Sequence, residues 1–190
     1  MKARLSLLLS VTLAVGAGCG SGGSGDGGGG GDSGPLEHYL PIVSDFQGYR
    51  EWPAFPLPDD GVTNVVHVAG PRTVYINKLP PAGATEFPVG TLIVKELEDG
   101  AIPDRKVFAM AKRESDGSYN ANGARGWEWW ELKNIDELTV EKIWSGVGPP
   151  AGEMYGGDPN ASCNTCHVGN ADNDYVGSPP LDLDTLTSQD

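Results

Sequence analysis

Gly90-Thr-Leu-Ile-Val-Lys-Glu-Leu-Glu98 is dense in branched apolar residues and runs into the turn signal Glu98-Asp-Gly100, so it reads as a β-strand. Alternation places Thr91, Ile93 and Lys95 on one face and Leu92, Val94 and Glu96 on the other. One face must therefore bury a lysine among apolar neighbours or carry it at an edge. Residues 62–68, 72–77, 105–113 and 126–132 share this character and are separated by turns such as Pro80-Pro-Ala-Gly and Ser115-Asp-Gly. Together they predict an α+β fold, a mainly antiparallel β-sheet with flanking short helices.

On the N-terminal side, the spacing of Leu40, Ile42, Val43, Phe46 and Tyr49 predicts one short helix within 36–52, ended by Trp52-Pro-Ala-Phe-Pro-Leu-Pro58. On the C-terminal side, 136–144 predicts a helical turn before a Gly/Pro-rich loop over 145–160. Residues 181–190, where Leu181, Leu183 and Leu186 stand among Asp182, Asp184 and Asp190, predict a frayed acidic tail. No internal repeat is present.

Residues 1–18 have the layout of a signal peptide: Lys2 and Arg4, an apolar run over 5–15, then Gly16, Ala17 and Gly18. That run is too short to span a membrane. Cys19 follows as in a bacterial lipobox, although Gly16 stands where leucine is usual, and a lipid on Cys19 would be the only membrane attachment. Residues 19–35 then form a Gly/Ser-rich tether, too poor in apolar surface to fold. Export to the periplasm follows. Gly20, where aspartate would signal inner-membrane retention, favours the outer membrane of a Gram-negative cell. The domain proper is 36–180.

The formal charge of the 190-residue chain is -13, and losing Lys2 and Arg4 with the leader makes it two charges more negative. Such a surface repels nucleic acid and anionic lipid and attracts a basic partner; the alternative reading is solubility alone.

With Cys19 assigned to lipid, two of the three cysteines remain, in Cys163-Asn-Thr-Cys166-His167. This is the spacing of c-type haem attachment: two thiols add across the vinyl groups and the next histidine reaches the iron. By composition the pentad would arise by chance in roughly one such chain in a thousand. The alternatives are a thioredoxin-like redox pair, which belongs beside a strand–helix unit, and half of a zinc site, for which only His38 and His67 remain. For a sixth iron ligand the chain offers Met110, Met154 and His67, each read as packing or surface, and no methionine follows the motif. The iron, one haem c per chain, is then expected to have an open distal face.

Arg72-Thr-Val-Tyr-Ile-Asn77, Phe87-Pro-Val-Gly-Thr-Leu-Ile-Val-Lys-Glu96, Gly126-Trp-Glu-Trp129, Cys163–His167 and Asp174-Tyr-Val176 occur in the order in which the cytochrome P-460 family and its relative cytochrome c-prime beta carry them. The chain resembles that family over about 38–180. The resemblance implies a haem packed against the sheet, a lysine at position 95 bonded through its side-chain nitrogen to the haem macrocycle, and commonly a homodimer. It implies oxidation of hydroxylamine to nitrogen oxides, with electrons passing to a soluble cytochrome. The c-prime beta relatives lack the cross-link and bind nitric oxide without turnover; a simple electron carrier is a third reading. Arg72 matches a pocket arginine able to donate hydrogen bonds, against a surface arginine at a strand start. Asp172 falls near a distal-pocket position, against a solvated loop carboxylate, and hydroxylamine oxidation needs such a base within hydrogen-bond reach. Lys95 has its own alternative, a lysine whose amine reaches solvent at a sheet edge.

Overall fold

The computed structural model of the protein describes residues 38–58, 70–152 and 162–186. The leader, Cys19, the tether, the strand expected at 62–68 with His67, and Met154 lie outside the described residues.

Among the described residues, six strands form one antiparallel sheet in chain order: β1 Ala54–Leu57, β2 Arg72–Ile76, β3 Leu92–Leu97, β4 Lys106–Lys112, β5 Trp127–Asn134 and β6 Val140–Gly146. Both faces are covered, which is why Ile93 and Val94, adjacent and opposed, are both buried. One face packs Val74, Ile76, Ile93, Met110, Trp127 and Trp129 beneath Phe87, Val176, Leu181 and Leu183. The other packs Leu92, Val94, Val107, Trp130 and Leu132 beneath Phe46 and Tyr49.

The expected helix over 36–52 is instead two 3-10 turns, Val43–Phe46 and Tyr49–Glu51. Gly48, in the left-handed region at φ 66°, separates them and donates its N–H to the Leu138 carbonyl, so the chain turns there rather than winding on. The proline-rich segment contains β1, where Pro56 is tolerated because an edge strand need not donate on both sides.

The helical turn expected at 136–144 is corrected to a hairpin leading into β6. The Asp136 carboxylate accepts from the Leu138 and Thr139 N–H groups at 2.9 and 2.8 Å, and this local turn outcompetes the helix. Gln47 bonds both the N–H and the carbonyl of Val140 at 2.9 Å, pairing backbone at the start of this edge strand. The C-terminal segment is also not frayed as far as it is described: Leu181 and Leu183 are buried in the core, and Leu183–Leu186 forms a short helix.

β3 is flanked by β2 and β4, so Lys95 stands in the interior of the sheet and not at its edge. The opposite side of the same strand carries Glu96, fully buried. Its carboxylate accepts from Arg50 at 2.6 and 3.1 Å and from Asn134 at 3.3 Å, with Arg105 at 3.5 Å. This ionic cluster ties the 3-10 turns to the sheet.

Candidate functional site

Cys163–His167 is one turn of helix, α1, opened by the Ser162 hydroxyl accepting from the Thr165 N–H. Helical spacing puts the two cysteines and His167 on one side, and all three line a cavity of about 420 Å³, within the usual range for a small-molecule site. The sheet supplies the facing wall with Arg72, Val74, Ile93, Lys95, Phe108, Met110 and Trp129.

The turn is held from the side by Asn164. Its amide oxygen accepts from the Trp129 indole and the Asn120 amide at 2.9 Å and from the Ala124 N–H at 3.1 Å. Its amide nitrogen donates to Asn120 and to the Val147 carbonyl, both at 2.9 Å. Donors and acceptors are thus all engaged, which fixes the helix in rotation as well as in place. A methyl group on Gly123 would overlap the Asn164 amide. Gly123→Ala is therefore expected to destabilise the fold by about 1–3 kcal/mol, read as a lowered urea midpoint, whereas the same change at Gly169, which faces open space, leaves the midpoint near native.

His167 meets the Tyr175 carbonyl through Nδ1 at 2.6 Å. A carbonyl only accepts, so Nδ1 carries the proton and Nε2 keeps its lone pair, the arrangement of a metal-ligating imidazole. Burial is the largest influence on the ring and pushes its pKa down, favouring the neutral form. The Trp129 ring lies against the imidazole at 4.5 Å between centroids. Burial also pushes the Cys163 thiol up to about 11, while Cys166 is exposed.

Across the cavity, the Lys95 amine is pushed down to about 7, by burial first and then by the neighbouring Arg72 guanidinium, with Cys163 opposing. Its Nζ lies 5.4 Å from the centre of the Phe108 ring. An unprotonated lysine carries a nucleophilic lone pair.

Asp172 does not join them. It is exposed on the 3-10 segment Val168–Asn173 and does not line the cavity. The nearby Asp174 is buried, but against Lys112. The carboxylate on the cavity face of the sheet is one that sequence reasoning passed over, Glu131. It pairs across β4 with Phe108, itself opposite Lys95, and lies close enough to raise the Cys163 thiol. The Trp144 indole donates to it at 2.7 Å, and opposite Glu131/Leu132 the register skips Ile143, a β-bulge in β6 beside Trp144. The available signal was alternation: Trp127, Trp129 and Glu131 fall on one face. Met110, read as packing, does pack in the core and also lines the cavity. His38 stands by Glu114 at 3.3 Å and does not line it.

Among the described residues no three His, Cys, Asp or Glu side chains gather in a way that would hold a bare metal ion. Among the described residues the sheet pairs are all antiparallel, and α1 sits there in no parallel strand–helix–strand unit of the thioredoxin kind. Among the described residues no helix is long and apolar enough to cross a membrane. No family model, curated protein or solved structure matches the chain.

Proposed function

We propose that this chain is a c-type mono-haem protein that oxidises hydroxylamine through a lysine-bonded haem. The observation that carries the reading is the placement of the Lys95 amine, on an interior strand, facing the same cavity as Cys163, Cys166 and His167. The donor set fits a haem: two thiols one helical turn apart for the vinyl groups, a neutral imidazole with a free Nε2, and a largely apolar wall. A haem held by Cys163, Cys166 and His167 would supply a redox-active iron able to take up the substrate's electrons.

The chain's own groups do the rest. Trp129 and the Tyr175 carbonyl hold His167 in orientation. Lys95, in its neutral form, has the lone pair that a bond to a haem carbon requires. Arg72 lines the cavity and is a hydrogen-bond donor toward a bound nitrogenous ligand. Glu131, on the cavity face of the sheet near Cys163 and oriented by Trp144, takes the protons that leave hydroxylamine with its electrons, a role for which the exposed Asp172 is the alternative. Electrons then pass to a soluble cytochrome, whose docking the chain's acidity would favour if its surface is basic. We place the protein, as a homodimer, in the periplasm on a lipid at Cys19.

The test is mass spectrometry of a protease digest of the mature, haem-loaded protein, followed by a hydroxylamine assay. The Lys95 peptide is expected to travel with the Cys163–His167 haem peptide. A second reading is favoured by the apolar wall of Val74, Ile93 and Met110, which suits a neutral diatomic gas. Should Lys95 appear only in a free peptide from fully haem-loaded protein, and should nitric oxide bind without turnover, that reading replaces the first. A six-coordinate spectrum would instead indicate an electron carrier.

A further inference from the structure

Two consecutive residues bearing side chains, Asp174 at φ 48° and Tyr175 at φ 66°, occupy the left-handed region. A single such residue is uncommon, and a bulky one like tyrosine is an outlier that surrounding structure must hold in place. The Asp174 carboxylate is held by Lys112 of β4, whose Nζ donates at 2.7 and 2.9 Å, and by the Phe87 N–H at 2.9 Å. Both members of the ion pair are buried, Lys112 at 2% and Asp174 at 7% exposure, and the Lys112 ammonium lies 5.4 Å from the centre of the Trp127 ring. Tyr175 is tied from the other side by its N–H donating to the Asn170 carbonyl at 2.7 Å. The product of this unusual backbone is the direction of one carbonyl, that of Tyr175, onto His167 Nδ1.

We propose that the Lys112–Asp174 ion pair is a positioning device for His167: it clamps the left-handed turn to the sheet so that the Tyr175 carbonyl stays on Nδ1–H. A buried ion pair is a poor means of stabilising a fold, because desolvation consumes most of its attraction and an apolar pair of the same volume does as well or better. What it adds is a defined geometry, and here that geometry ends on the imidazole. An imidazole whose Nδ1–H is bonded to an acceptor is the more basic ligand through Nε2. Lys112 and Asp174 therefore act on the iron through His167 without touching it. This inference rests on the haem reading of Cys163–His167.

The test uses the full haem-loaded chain. Asp174→Asn keeps the shape and removes the charge; Lys112→Gln keeps a donor to Asp174 and serves if the first variant does not fold. Resonance Raman of the ferrous protein reads the iron–histidine stretch, and spectroelectrochemistry reads the ferric–ferrous equilibrium. Expected in either variant are a lower stretching frequency and a several-fold shift toward the ferrous form. Val107→Ala, in the core of the opposite face, loses thermal stability with both readouts native. The proposal is overturned if the charge-removing variants behave like Val107→Ala. If the native chain carries no covalent haem, the haem reading itself falls, and that is seen before any variant is compared.

Discussion

On the proposed hydroxylamine chemistry, Glu131→Gln is expected to lower turnover by about 10²–10⁴-fold without affecting haem attachment, the range ordinarily lost when a positioned base is removed. The substitution preserves volume and leaves an oxygen to accept from the Trp144 indole, which donates at 2.7 Å in the native protein. What it removes is the ability to take a proton. The measurement is steady-state turnover with an artificial electron acceptor, set beside absorbance of the denatured protein to count attached haem. Asp172→Asn is the companion variant. Because Asp172 is exposed on the 3-10 segment after His167, whereas Glu131 shares the Lys95 face of the sheet, its turnover should stay within about twofold of native. Full activity in Glu131→Gln would remove that residue from the reaction, and a large loss in Asp172→Asn would return the role to the sequence's first candidate.

The second large effect lies on the opposite face of the sheet, on β3. Glu96→Ala is expected to lower the unfolding free energy by about 3–5 kcal/mol, the cost of breaking a buried ion pair from one side. Glu96 is fully buried between Arg50 and Arg105, and Asn134 donates to it as well. Removing the carboxylate leaves the Arg50 guanidinium, itself mostly shielded, facing a void. The Tyr49 phenol stands in the same cluster, with its pKa pushed up first by burial and then by the Glu96 charge. Urea unfolding of the full chain measures the loss. A midpoint close to native would mean that the arginines find other acceptors, of which the Asp136 and Glu137 carbonyls already bond Arg50.

The two outcomes bear on different properties because Glu131 and Glu96 lie on opposite faces of the sheet, with β4 between their strands. Lys95 and Glu96 are adjacent in sequence and point to opposite faces, one toward a cavity and one into a sealed ionic cluster. Only the covering layers distinguish them. The Cys163–His167 turn and the C-terminal turns close one face, and the 3-10 turns around Phe46 and Tyr49 close the other.

Local chemistry made much of this legible before any coordinates. β2 to β5 carry a period-2 pattern and are bounded by turn residues, so four of the six described strands were readable. The cysteine pair and His167 could be assigned to one turn by spacing alone. The misreadings share a cause. Residues 36–52 and 136–144 have mixed apolar spacing that suits a helix as well as any alternative, and the choice was made by Gly48, by the Asp136 turn and by Gln47 pairing with Val140. Pro56 argued against a strand that an edge position permits. What the sequence by itself determined is therefore the local grammar: strand alternation, turn positions, and a thiol–thiol–imidazole set on one turn. Which carboxylate faces the cavity, that Lys95 lies inside the sheet, and that Asp174 is spent on Lys112 rather than on the site were decided only by tertiary structure. Those facts depend on contacts between residues such as Lys112 and Asp174, far apart in the chain, and no local pattern encodes which distant partner a charged side chain will meet.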